Sequence, residues 1–125
     1  MNKSAFSEDE IDRIWEKAST IEGLDSKMFR KDACGAVVMR SKYGVLNSNF
    51  GWVIDHIYPV ELGGDDSDVN LRLMQWQNAE SKGSSFPLYK SVMRFEGFEN
   101  VADERERRIN AKKLAELKEI YNFTL

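Results

Sequence analysis

Residues 52–59 read WVIDHIYP and hold the only histidine of the chain, His56, directly after Asp55. The β-branched and aromatic residues of this stretch predict a strand, which Pro59 ends because proline cannot donate to a sheet ladder. Adjacent strand residues point to opposite faces, so Asp55 and His56 can meet one ligand only where the strand ends. Histidine titrates near neutrality and can take a proton from water, although a lone histidine is more often a satisfied core or surface residue.

The segment after this strand completes a compact unit. Residues 60–69 are rich in glycine and aspartate and predict a loop, residues 71–74 a second strand, and residues 75–82 a short helix with Gly83 as its C-terminal cap. A helix places Asn78 and Lys82 on one face. An amide oxygen beside the Asp55 carboxylate would suit Mg²⁺ or Mn²⁺. Lys82 would then meet a phosphate or simply stay solvated, and Asn70 has a plain role in holding the loop backbone.

Helices are predicted on both sides of this unit. Ser7 to Glu10 has the pattern of a capping box and begins an amphipathic helix over residues 7–19. Residues 36–39 predict a short strand. Beyond Pro87 the pattern becomes helical again, with a last helix from about Ala102 to Tyr121. The sequence therefore predicts a single α+β domain over residues 1–125, with a core motif at about 36–83 and helical flanks at 7–19 and 86–121.

Composition narrows the class of protein. The chain has 125 residues and one cysteine, Cys34, so it can form no internal disulfide and has no cysteine pairs for a structural zinc. A cytoplasmic location is expected, with secretion lacking a cleaved signal left open. No apolar run has membrane length, so no membrane partner is expected. The net charge of −3 argues mildly against nucleic acid, but basic residues cluster locally, so a binding face would be local and salt-sensitive.

Two other site patterns fail on inspection. Residues 66–70 match the first half of a calcium-binding EF-hand loop, but Leu71 and Gln77 stand where that loop needs glycine and glutamate. No phosphate-binding P-loop or dinucleotide-binding glycine pattern is present. Cys34 has no activating neighbour in the sequence and is expected to be a small buried residue.

Residues 51–59, Gly63-Gly64, Asn70-Leu71 and residues 76–83 together resemble the motif of the HNH endonuclease family. That resemblance implies a ββα-metal core of two antiparallel strands and a helix around one divalent metal. It implies that Asp55 and Asn78 bind the metal, that His56 is the general base, and that Asn70 stabilises the loop and helps to orient the histidine. Lys82 would lie near the scissile phosphate, and Arg40 would be a further substrate contact.

The resemblance implies a metal-dependent endonuclease that hydrolyses DNA to a 5′ phosphate and a 3′ hydroxyl. No recognition helix or zinc-finger array is apparent, so sequence specificity would need a protein partner. Two alternatives stay open: a nucleic-acid-binding HNH module with weak or no cleavage that assists a larger DNA-processing machine, and a structural or protein-interaction domain. Many family members brace the motif with two cysteine pairs around zinc. Here packing of the flanks would replace that brace, with Trp15, Phe95 and Leu117 as candidates.

Overall fold

The computed structural model describes residues 6–125, which form three helices and three two-stranded antiparallel sheets. The helices are α1 (Glu8–Lys17), α2 (Trp76–Lys82) and α3 (Ala111–Tyr121). The strands pair as β1 (Phe29–Lys31) with β2 (Val37–Met39), β3 (Trp52–His56) with β4 (Leu71–Gln75), and β5 (Leu88–Glu96) with β6 (Glu99–Arg108). The predicted α+β class is confirmed. None of the helices in the described part of the chain has the length and apolarity to cross a membrane.

Helix α1 begins at the predicted capping box. The Ser7 hydroxyl accepts from the Glu10 backbone N–H at 3.1 Å, and the Glu10 carboxylate accepts from the Ser7 N–H at 2.8 Å. These bonds satisfy two donors that an uncapped helix leaves open. The buried stripe of Ile11, Ile14 and Trp15 then holds α1 against the central hairpin.

The β3–β4 hairpin lies between two hydrophobic clusters. In its register Asp55 faces Arg72 and His56 faces Leu71. One face packs on α1 through Trp52, Leu71 and Leu73. The other face contributes Met74 to a second cluster. The other buried members of that cluster are Cys34, Ile57, Tyr58, Tyr89, Ile109 and Leu117. Each fully buried large side chain contributes about 1.5–3 kcal/mol, so the hairpin is stabilised from both sides.

The predicted helical flank over residues 86–121 is wrong for its first part. Strands β5 and β6 form a long hairpin that turns at Gly97, whose φ of +71° suits a glycine. Phe98 is 95% exposed at this turn. Helix α3 begins only at Ala111, where the Asn110 side chain accepts from the Lys113 N–H at 2.8 Å. Strand β6 is rich in Glu and Arg, which favour helices, but pairing with β5 overrides that preference.

Candidate active site

A cleft of about 1070 Å³ opens beside the end of β3, between the loop of residues 57–70 and α2. We call it the acidic cleft, because its lining carries carboxylates and, among the described residues, no lysine or arginine. The carboxylates in its lining are Asp55, Glu61, Asp65 and Asp66, and His56 lies beside them. Such a lining attracts cations and repels bare phosphates.

Asn70 holds the loop that follows His56. Its Oδ1 accepts from the Tyr58 N–H at 2.6 Å, and its Nδ2 donates to the carbonyls of Tyr58 at 3.0 Å and Asp65 at 3.1 Å. Gly64 lies so close that a Cβ there would come within 1.8 Å of the Tyr58 oxygen. The loop-holding role expected for Asn70 is therefore seen, and it acts on the residues that flank His56.

His56 lies at the end of β3 with its side chain 23% exposed. Its Nε2 lies 2.7 Å from the Asp66 Oδ1, and its ring centroid lies 6.4 Å from that of Phe6. A carboxylate can only accept while it is ionised, so this contact favours the tautomer with hydrogen on Nε2. Nδ1 then remains as the proton acceptor. The sequence did not identify Asp66 as this partner.

Asp55 is buried, with 9% of its side chain exposed, and it is ion-paired. Its Oδ2 accepts from the Arg72 Nε at 3.1 Å, as expected for residues that face each other across a hairpin. Its Oδ1 lies 3.5 Å from the Lys82 Nζ. The carboxylate is therefore held between two cations on the face of the hairpin opposite α1.

Lys82, predicted to lie near the scissile phosphate, does not line the acidic cleft. Its side chain is fully buried, and its Nζ donates to the His56 carbonyl at 3.1 Å. Burial lowers the pKa of the Lys82 ammonium, and the nearby Asp55 carboxylate opposes that shift. Lys82 thus ties α2 to the end of β3 from inside the protein.

Asn78, predicted to bind a metal together with Asp55, does not line the acidic cleft. Asn78 is fully buried, and its Oδ1 accepts from the backbone N–H groups of Val92 at 2.7 Å and Met93 at 2.8 Å. Its Nδ2 donates to the Asp32 Oδ2 at 3.1 Å and to the Met93 carbonyl at 3.0 Å. Both lone pairs of the amide oxygen are engaged, so none is left for a cation. The neighbouring Ala79, which has no ligating side-chain atom, lines the acidic cleft instead.

Asp32 is a buried carboxylate that the sequence did not single out. Its Oδ1 accepts from the N–H groups of Cys34 at 2.8 Å and Ala36 at 2.9 Å. Its Oδ2 accepts from the Gln75 N–H at 3.0 Å and from Asn78. Burial raises the pKa of Asp32, and these hydrogen bonds oppose the rise. Through these hydrogen bonds, Asp32 and Asn78 link α2 to the β3–β4 sheet and to the β5–β6 sheet.

Arg40 does not line the acidic cleft. Its guanidinium donates to the carboxylates of Glu8 at 3.3 Å and Asp12 at 2.7 Å, and it lies 5.9 Å from the centre of the Trp52 ring. These contacts give Arg40 a role in fastening α1.

Among the described residues, no group of three or more His, Cys, Asp and Glu side chains is arranged to hold a metal ion. Of the predicted Asp55–Asn78 pair, only Asp55 lines the acidic cleft and offers a carboxylate there. Comparisons with protein-family models, with curated proteins and with solved structures find no match to this chain.

Proposed function

We propose that this chain is a metal-dependent HNH-type endonuclease that hydrolyses DNA phosphodiester bonds. The proposal rests on the motif resemblance and on one observation of the structure: His56 lines an open cleft, is oriented by Asp66 at 2.7 Å, and directly follows the buried Asp55. The hairpin and the helix that follows it are compatible with a ββα-metal core. A histidine held by a carboxylate is the usual arrangement of a general base.

In this proposal His56 takes a proton from water through Nδ1 while Nε2–H donates to Asp66. The activated water attacks the phosphorus, and the bond to the leaving 3′ oxygen breaks. That oxygen takes a proton from solvent, which gives a 5′ phosphate and a 3′ hydroxyl. Asn70 acts as a positioning residue, because it fixes the backbone that follows His56. Asp66 keeps the ring in the productive tautomer.

Mg²⁺ or Mn²⁺ is the cofactor that the proposal requires, with Asp55 as its ligand in the protein. Mg²⁺ is often held by one or two carboxylates, with water and substrate oxygens completing its shell, so a single carboxylate fits this metal better than it fits zinc. When bound, the metal stabilises negative charge on the phosphate and on the leaving oxygen. Asp55 would have to exchange part of its pairing with Arg72 and Lys82.

A DNA-binding module with weak or no cleavage is the second candidate. It is favoured by the engaged amide of Asn78 and by the two cations that already hold Asp55. In either case sequence specificity would come from a protein partner.

Plasmid nicking tests the proposal. Purified protein is incubated with supercoiled DNA in Mg²⁺ or Mn²⁺, beside a chelator control, and the nicking rate is compared among wild type, His56→Ala and Glu80→Ala. Loss of a general base slows hydrolysis roughly 10²- to 10⁴-fold, so His56→Ala should nick at least a hundredfold more slowly. The Glu80 side chain is exposed on α2 and makes no hydrogen bond or ion pair with the described residues, so the Glu80→Ala variant should nick as fast as wild type.

Each result has a defined meaning. Nicking that persists in His56→Ala contradicts the assigned base. Nicking that persists in chelator contradicts the metal requirement. DNA binding without nicking in either metal supports the binding module.

A further inference from the structure

A second cleft, of about 640 Å³, lies among α1, β4, β6 and α3 and has the opposite electrostatic character. Five cationic side chains line it against two carboxylates, in a chain whose net charge is −3. We call it the basic cleft. Its cations are Lys17, Arg72, Arg107, Arg108 and Lys113, and its carboxylates are Asp68 and Glu116.

Two of the five cations, Arg107 and Arg108, have no carboxylate partner among the described residues, whereas Arg72 pairs with Asp55 and Lys113 with Glu116. Arg107 donates to the Ser91 hydroxyl at 2.9 Å and to the Cys34 carbonyl at 3.0 Å, both neutral acceptors. A guanidinium has five N–H donors, so these two bonds fix its position and leave the others for a ligand. The Arg108 side chain is exposed and makes no hydrogen bond or ion pair with the described residues.

Two lysines converge on the loop before β4. The Lys17 Nζ donates to the Asp68 carbonyl at 2.6 Å, and the Lys113 Nζ donates to the Val69 carbonyl at 2.9 Å. Burial lowers the pKa of Lys17, and Lys113 and Arg13 lower it further, while the carboxylates of Asp68 and Glu116 oppose the shift. An anion would relieve this repulsion, while Glu116 relieves it only in part through its 2.7 Å contact with Lys113.

Arginine is the prevailing cation here, and its planar fork matches the oxygens of phosphate. We infer that the basic cleft binds phosphates of the DNA strand, as a substrate-holding surface separate from the acidic cleft. The inference rests on the proposed function for the identity of its ligand. It also explains how an acidic chain could hold DNA, because the acidic cleft supplies carboxylates and the basic cleft supplies the missing cations.

Binding measured without metal tests the inference. The full chain is titrated into a fluorescently labelled DNA duplex in chelator, and anisotropy gives the Kd over a range of salt concentrations. Loss of one phosphate contact lowers the salt slope by about one, which near 0.1 M salt is roughly a five- to tenfold weaker Kd. We expect this loss for Arg108→Gln and a larger one for Arg107→Gln combined with Arg108→Gln.

Arg105→Gln is the matched control. It removes the same charge from the same strand, but Arg105 lies outside the cleft and pairs with Asp103 at 2.8 Å, so its Kd and salt slope should match wild type. Thermal unfolding of each variant checks that the fold is retained.

Three results would overturn the inference: wild type that does not bind the duplex, Arg107 and Arg108 variants that bind as wild type does, or polyglutamate that competes equally with DNA. The last result would instead indicate an acidic protein partner. The binding assay contains no metal, so it tests the basic cleft independently of hydrolysis. If the Arg107 and Arg108 variants bind DNA more weakly but wild type does not nick plasmid, the inference stands and the proposed hydrolysis is contradicted. If wild type nicks plasmid but these variants bind DNA as wild type does, the hydrolysis stands and the inference is contradicted.

Discussion

At the scale of one residue, a substitution of Asn78 distinguishes a metal ligand from a side chain that only holds the fold together. Asn78→Ala would leave two partly buried backbone N–H groups, of Val92 and Met93, without their acceptor. Each such loss costs about 1–3 kcal/mol, so we expect the free energy of unfolding to fall by about 2–6 kcal/mol. Urea unfolding measures this change, and Glu80→Ala on the same helix serves as the control. Unchanged stability together with lost Mn²⁺ binding would instead indicate that Asn78 is a metal ligand.

The individual site residues show which parts of a site a sequence can reveal. Asp55, His56 and Asn70 stand in one short segment, and the structure places the first two at the cleft and the third in the loop beside them. Asp32 and Arg72 were missed because their roles depend on pairings made by the fold. The hydrogen bonds of Asn78 could not be predicted, because helical spacing gives a shared face but does not say which side chains the packing of β5 engages.

The loop between β3 and β4 is the element that shapes the acidic cleft. At Gly64 a Cβ would lie 1.8 Å from the Tyr58 oxygen and 3.0 Å from the Asn70 Nδ2. Gly64→Ala should therefore push the loop off Asn70 and lower the free energy of unfolding by about 1–3 kcal/mol or more. Hydrogen exchange at the Tyr58 N–H, which Asn70 accepts, should become faster.

Gly97→Ala provides a comparison in another turn. A Cβ there meets nothing within 4 Å, so only the left-handed backbone at φ +71° disfavours alanine, at about 1–2 kcal/mol. Protection of the Tyr58 N–H should then be unchanged. A Gly64→Ala protein with wild-type protection would show that the loop is not closed by this contact.

At the level of elements, local patterns were sufficient for α1, the β3–β4 hairpin and α2. Their signals are a capping box, a strand ended by proline and a glycine at the helix end. The β5–β6 hairpin was not predicted, because Glu and Arg dominate the second half of β6 and the pairing of the two strands is a tertiary effect. The signal that could have found it is Gly97 in the stretch FEGFEN, which suits a hairpin turn.

In the whole molecule, the last helix is fastened to the loop at the acidic cleft. The Tyr121 hydroxyl donates to Asp65, and this bond and those from Ser67 hold the pKa of the Asp65 carboxyl below its usual value. A lowered carboxyl pKa stabilises the fold above the unfolded pKa, and that stabilisation is lost as pH falls through the folded pKa. The stability advantage of wild type over Tyr121→Phe should therefore shrink below about pH 4.

Thermal unfolding between neutral and acidic pH measures this difference. Tyr43→Phe is the control, because the Tyr43 hydroxyl makes no hydrogen bond to a carboxylate within residues 6–125. A wild-type advantage over Tyr121→Phe that stays constant with pH would contradict the role of the ionised carboxylate.

Arg72 is a lining residue of the basic cleft, and its ion-pair partner Asp55 lines the acidic cleft. Free-energy coupling between sites is reciprocal. An anion that binds the Arg72 guanidinium in the basic cleft weakens its bond to the Asp55 carboxylate. A cation that binds this carboxylate in the acidic cleft releases the guanidinium, and each ligand raises the affinity for the other by the same factor. The Arg72–Asp55 hydrogen bond would thus make anion binding in one cleft and cation binding in the other favour each other.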